Sequence, residues 1–116
     1  MDLTAYHDHV ELCNTQIELA KEYDKQRTIA GNAKKELEIR LTSALPSIRI
    51  EKPNVGVEMA YLLLMEFEPD TKNIYRQWKE AESKYKGIEK LIEAYASKIS
   101  FQQSLMKYTI QGERNG

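Results

Sequence analysis

The chain has few of the residues that staple, bend or anchor a fold: one cysteine, three prolines and five glycines in 116 residues. The single thiol, Cys13, forms no internal disulfide, which fits a reducing compartment. The longest apolar run, Met59 to Met65, falls far short of the roughly 20 residues that span a bilayer. Met1-Asp2-Leu3-Thr4 lacks the basic start of a secretory leader. A soluble, cytoplasmic protein with no membrane partner is therefore expected. The glycines stand apart at positions 31, 56, 87, 112 and 116, so no Gly-rich loop cradles a phosphate.

An excess of one charge is also missing: the formal net charge is −1. The distribution is uneven. Residues 1–20 hold four acids and no base, 21–52 eight bases and five acids, 53–70 four acids and no base, and 71–116 nine bases and five acids. This alternation suits antiparallel or intersubunit packing of acidic against basic stretches. It also leaves a basic flank able to touch phosphates, although the total is not that of a strongly basic nucleic-acid binder.

Helical periodicity dominates the rest. Leu3, Tyr6, Val10, Cys13, Ile17 and Ala20 recur in steps of three and four, the period of one helix face. The pattern then shifts phase, resuming as Tyr23, Ala30, Ala33, Leu37 and Leu41 across the polar stretch 24–28. With Gly31-Asn32 just beyond, residues 24–32 read as the weakest part of one helix over 1–43 and as a candidate hinge. Pro46 and Pro53 bracket Ile48 and Ile50, which alternate with polar residues, so an extended segment or short strand is expected there. A turn follows at Pro53-Asn54-Val55-Gly56. Glu58 to Glu66 then reads as a short helix that is apolar on all sides and therefore buried, here against another copy of the chain.

The clearest signal lies in 70–111, opened by Pro69 in a first-turn position with the cap-type residues Asp70 and Thr71. A heptad starts at Ile74, one core series being Ile74, Ala81, Ile88, Tyr95, Gln102 and Thr109 and the other Trp78, Tyr85, Ile92, Ile99 and Met106. Gln102, polar within the seam, is expected to fix its register. A second stripe, Leu91, Ala94, Phe101, Leu105 and Tyr108, widens the face beyond a two-stranded seam. Residues 112–116 read as a frayed tail. The expected architecture is a single all-α domain: an antiparallel long-helix hairpin with coiled-coil packing, a Pro-bounded connection over 44–69, and assembly of hairpins into an oligomeric bundle.

No constellation calls for catalysis, a metal or a cofactor. His9 and Cys13 share a helix face, but with His7 pointing elsewhere they fall short of the four ligands of a structural zinc site. The acids sit beside Lys at helical spacing, as in Glu80/Lys84 and Glu82/Lys86, and read as solvated faces. What the pattern supports is binding. Lys72, Tyr75, Arg76 and Lys79, joined by Arg49 and Lys52 on the connection, combine aromatic and basic groups as single-stranded nucleic-acid sites do. The assembly and partner surface is expected from Ile74, Trp78, Tyr85, Ile88, Ile92, Tyr95 and Ile99 on the heptad, and from Met59, Leu62, Leu63, Leu64 and Phe67 on the short helix.

Ala33-Lys34-Lys35-Glu36-Leu37 before the break near Leu45-Pro46, and Glu58-Met59 ahead of a long helix from Asp70 to Met106, resemble the UvsY-type recombination mediators of T-even-like phages over most of the chain. That resemblance implies a ring-like oligomer that binds single-stranded DNA and helps load a recombinase. The near-neutral charge departs from it. The expected function is a non-enzymatic, self-associating helical binding protein, serving single-stranded DNA recombination or replication as a phage-type accessory factor. The alternative is a small protein-binding module, such as a phage inhibitor of a host defence protein or a structural assembly adaptor.

Overall fold

A computed structural model describes residues 3–115 as three helices in the order α1 (Leu3–Glu51), α2 (Val57–Phe67) and α3 (Pro69–Asn115). Among the described residues no strand occurs. The expected hairpin is present, with α1 packed along α3. The chain divides into two units, one built from residues 1–24 and 85–116, the other from 25–84.

In the second unit, prolines set the helix ends. Pro53 removes the donor that would extend α1, whose last backbone bond runs from Lys52 N–H to the Ile48 carbonyl at 2.9 Å. Pro69 pushes Glu68 into an extended conformation, φ −125° and ψ 97°, which ends α2. The same proline then opens α3, where its missing N–H is harmless and Asp70 complements the helix dipole.

Pro46 does not do what Pro53 does. The expected strand at 47–52 is helical, and α1 runs on to Glu51 instead of ending at 43. The reason is packing: Ala44, Leu45 and Ile48 lie against the buried cluster of Leu41, Ala60 and Leu64 at helical spacing. Ile50, the other half of the apparent alternation, is 82% exposed. Burial of that face outweighs the proline's local cost of about 3 kcal/mol. At the other end of the chain, α3 runs on to Asn115. Gly116 lies outside the described residues.

The remainder of this unit's core is narrow, formed by Ala30, Ala33, Leu37 and Ala81. Alanines on both helices allow α1 and α3 to approach closely, and Leu37 fills the space between with no exposed surface. At the corner where α3 begins, the fully buried Thr71 hydroxyl donates to Glu68 Oε2 at 3.0 Å and accepts from Arg40 Nη1 at 3.4 Å. Arg40 also pairs with Glu36 at 3.2 Å and Glu68 at 3.7 Å.

The first unit is a two-helix hairpin. Its α1 residues His9, Leu12, Cys13, Gln16, Leu19 and Tyr23 are part-buried, as are Tyr85, Ile88, Ile92, Tyr95, Gln102 and Met106 of α3, and Ile99 is buried. Tyr23 and Tyr85 meet edge to face at 5.8 Å. The helix is unbroken through 24–32, and its seam keeps one phase: His9, Gln16, Tyr23, Ala30 and Leu37 follow each other at intervals of seven. The apparent slip arises because Leu3, Tyr6, Val10 and Ile17 belong to a different, outward face, each at least 37% exposed.

Truncating Leu37 to Ala should lower the unfolding free energy by about 2–5 kcal/mol through lost burial and a residual cavity. Chemical denaturation followed by circular dichroism measures this, and a loss below 1 kcal/mol would mean that the helices do not close on Leu37.

Candidate interaction surfaces

The heptad residues assigned to assembly are placed toward α1 of the same chain. Ile74, Trp78, Tyr85, Ile88, Ile92 and Tyr95 are part-buried and Ile99 is buried. Thr109, assigned to the same series, is exposed, and its hydroxyl turns back to the Leu105 carbonyl at 3.0 Å. The seam therefore ends at Met106. Gln102 lies within it and is bonded across it: its Oε1 accepts from His9 Nδ1 at 3.2 Å. With that tautomer, His9 Nε2 faces the Cys13 thiol at 3.7 Å. The pairing holds two polar residues in register inside a largely apolar contact. Among the described residues no group of three or more His, Cys, Asp or Glu is arranged to hold a metal ion.

The short helix α2 is divided between core and surface. Leu64 is 3% exposed and belongs with Ala60 to the core, so Leu64 is not available to a partner. Leu63 is part-buried, while Met59, Leu62 and Phe67 are 50%, 52% and 74% exposed. A helix apolar all round is thus half covered by α1 residues of its own unit. Beside it, Ala44, Ser47, Ile48, Lys52, Leu63 and Phe67 line an open groove of about 550 Å³.

Lys72, Arg76 and Lys79 form one exposed stripe on α3, spaced four and three residues apart. The two aromatics beside the stripe, Tyr75 and Trp78, are part-buried and meet edge to face at 5.7 Å. Lys79 Nζ sits 4.0 Å from the Trp78 ring centroid and 5.7 Å from that of Tyr75, and Lys34 Nζ approaches Trp78 from α1 at 5.9 Å. Each cation is held over an electron-rich ring face. Next to them Tyr61, Leu62, Met65, Tyr75, Trp78 and Lys79 line a groove of about 470 Å³. Sequence reading missed Lys34 and Tyr61 here, because only the pairing of α1 and α2 with α3 brings them to Trp78. Arg49 and Lys52 are exposed near the end of α1. Lys52 lines the first groove, and neither is brought to the Trp78 cluster.

Tyr61 has its phenol pKa raised above 10.0, first by burial and second by the negative charge of Glu38. No helix among the described residues is long and apolar enough to cross a membrane. No known family model, curated protein or solved structure matches the chain.

The raised Tyr61 pKa has a defined consequence for stability. The folded state holds the phenol proton more tightly than the unfolded chain, so this contribution is present below pH 10 and is lost as pH rises beyond it. Alkaline unfolding curves of the wild type should fall more steeply above pH 10 than those of Tyr61→Phe. Identical curves would show that Tyr61 ionises as freely in the fold as in the unfolded chain.

Proposed function

We propose that the chain is a non-enzymatic, self-associating helical binding protein. One observation carries this reading: in the unit built from 1–24 and 85–116, Ile99 is the only described residue that is buried, while large apolar side chains stay exposed on both helices. A lone two-helix layer of that size removes too little apolar surface from water to offset the order it imposes, and contact between molecules supplies the missing burial. Wild-type protein is expected to sediment as a discrete oligomer at micromolar concentration, with its mass falling on dilution. A single chain at every concentration would end this reading.

A second reading, an accessory factor acting on single-stranded DNA in recombination or replication, rests on the Lys72, Arg76 and Lys79 stripe beside Tyr75 and Trp78. The unit of 25–84 holds eleven bases and nine acids, a net of +2, against six bases and nine acids in the other. Flanking aromatics and a short run of cations suit base stacking with backbone contact. The resemblance to UvsY-type mediators points the same way. Trp78 is the only tryptophan, so its fluorescence reports directly on the site. Adding a short single-stranded oligonucleotide at low salt is expected to quench it, with affinity falling steeply as salt rises. Arg76→Ala should weaken binding several-fold for every base sequence, because it removes a phosphate contact. Salt-insensitive binding, or no quenching, would rule the DNA reading out.

A further inference from the structure

The apolar residues left exposed on the hairpin of 1–24 and 85–116 fall into two stripes with the same spacing. On α1 they are Leu3, Tyr6, Val10, Ile17 and Ala20, with the part-buried Cys13 between Val10 and Ile17; on α3 they are Leu91, Ala94, Phe101, Leu105 and Tyr108, with the exposed Lys98 between Ala94 and Phe101. Both advance by three, four, three, four and three residues, and both therefore extend about 25 Å. Each is the period that one helix needs to interlock with another. All but Cys13 of these residues are exposed, Phe101 at 64% and Ile17 at 54%.

The stripes lie on opposite flanks of the hairpin. Asp8, Glu11 and Thr15 line a groove with Tyr95, Lys98 and Gln102, which fixes one flank. Lys98 belongs to the α3 stripe, so that stripe shares the flank with these acids. On α1, the seam residues His9, Leu12 and Gln16 separate Asp8, Glu11 and Thr15 from Tyr6, Val10 and Ile17, which face the other way. The outermost α1 residues beside its own stripe are His7, Asn14 and Lys21, the last paired with Glu18 at 3.2 Å.

From this arrangement, and resting on the self-association proposed above, we infer that the α1 stripe of one copy docks on the α3 stripe of the next, head to tail. A second copy is the occupant because the chain supplies both halves of a contact matched in length and period. The charges choose the pairing. Two α3 flanks placed together would set Asp8 and Glu11 against their own equivalents and Lys98 against Lys98. An α1 flank on an α3 flank sets that acidic rim against His7, Asn14 and the Lys21–Glu18 pair instead, with less like charge brought together. Such a contact is heterologous: every copy uses one flank to bind and offers the other.

Two variants and their mixture test this. Ile17→Glu spoils only the α1 stripe and Phe101→Glu only the α3 stripe, and circular dichroism checks that both keep the wild-type helix content. Each alone is expected to sediment at the mass of one chain. An equimolar mixture should give a complex of twice that mass, because the intact α3 stripe of the first variant meets the intact α1 stripe of the second. Should either glutamate variant unfold, the milder pair Tyr6→Gln and Tyr108→Gln gives the same comparison. Variants that keep the wild-type mass, or a mixture that stays at the mass of one chain although wild type assembles, would overturn the head-to-tail contact and leave self-association standing. A wild type that never assembles overturns both.

Discussion

Two helices lying side by side bury only the narrow strip where they touch, and each keeps most of its circumference in solvent. Everything distinctive here follows from that constraint. Where a third helix is present, the constraint is relieved. α2 adds Ala60 and Leu64 to Leu41, and around them Ala44, Leu45, Ile48, Val55 and Tyr61 lose part of their exposure. Where no third helix exists, the seam is built from part-buried side chains and one buried isoleucine. In such a seam polar residues are tolerable: His9 and Gln102 satisfy each other at 3.2 Å and remain near water.

The prolines show how far local chemistry is subordinate to that packing. Pro53 and Pro69 end helices where the chain must turn, and there propensity and fold agree. Pro46 lies inside α1 with the same chemistry and a different outcome, because Ala44 and Leu45 before it and Ile48 after it pack on the cluster of Leu41, Ala60 and Leu64. Upstream of it, the Thr42 and Ser43 hydroxyls bond back to the Glu38 and Ile39 carbonyls at 2.8 and 3.1 Å. Such back-bonding competes with the backbone ladder and suits a helix already lacking one donor.

How much of this was legible depends on whether hydrophobicity and burial coincide. On α3 they do, and the heptad read from Ile74 to Met106 matches the buried and part-buried positions, with Tyr75 and Glu82 the only additions after Thr71. On α1 they do not. Its seam includes His9, Gln16 and Gln26, while Leu3, Tyr6, Val10 and Ile17 look outward. A reading that places apolar residues inside selects the wrong face and must then invent a change of phase to rejoin Tyr23. The Trp78 cluster was half legible for a related reason: Tyr75, Trp78 and Lys79 sit within one turn of one helix, whereas Lys34 and Tyr61 arrive from elsewhere in the chain. Periodicity reports on a single helix and is silent on which partner it meets.

The misread face of α1 carries the most information about function. Burial inside the chain constrains a residue to be apolar, but nothing inside the chain asks Leu3, Tyr6, Val10 and Ile17 to be so. Single exposed apolar residues are ordinary; a run of them at strict three-four spacing is not explained by chance solvent exposure. The charges divide along the same line. The unit bearing both outward stripes is the acidic one, at −3, and the unit bearing the lysine-capped Trp78 is the basic one, at +2. Under the proposed reading, chain-to-chain contact is made through apolar stripes on the acidic unit, while a phosphate-bearing ligand is drawn to the basic one. The two proposed surfaces share no residue, so assembly would repeat the weak basic site once for each chain. Repetition of that kind raises avidity with no new contact to the ligand, and under the proposed reading it offsets the nearly zero net charge of the chain.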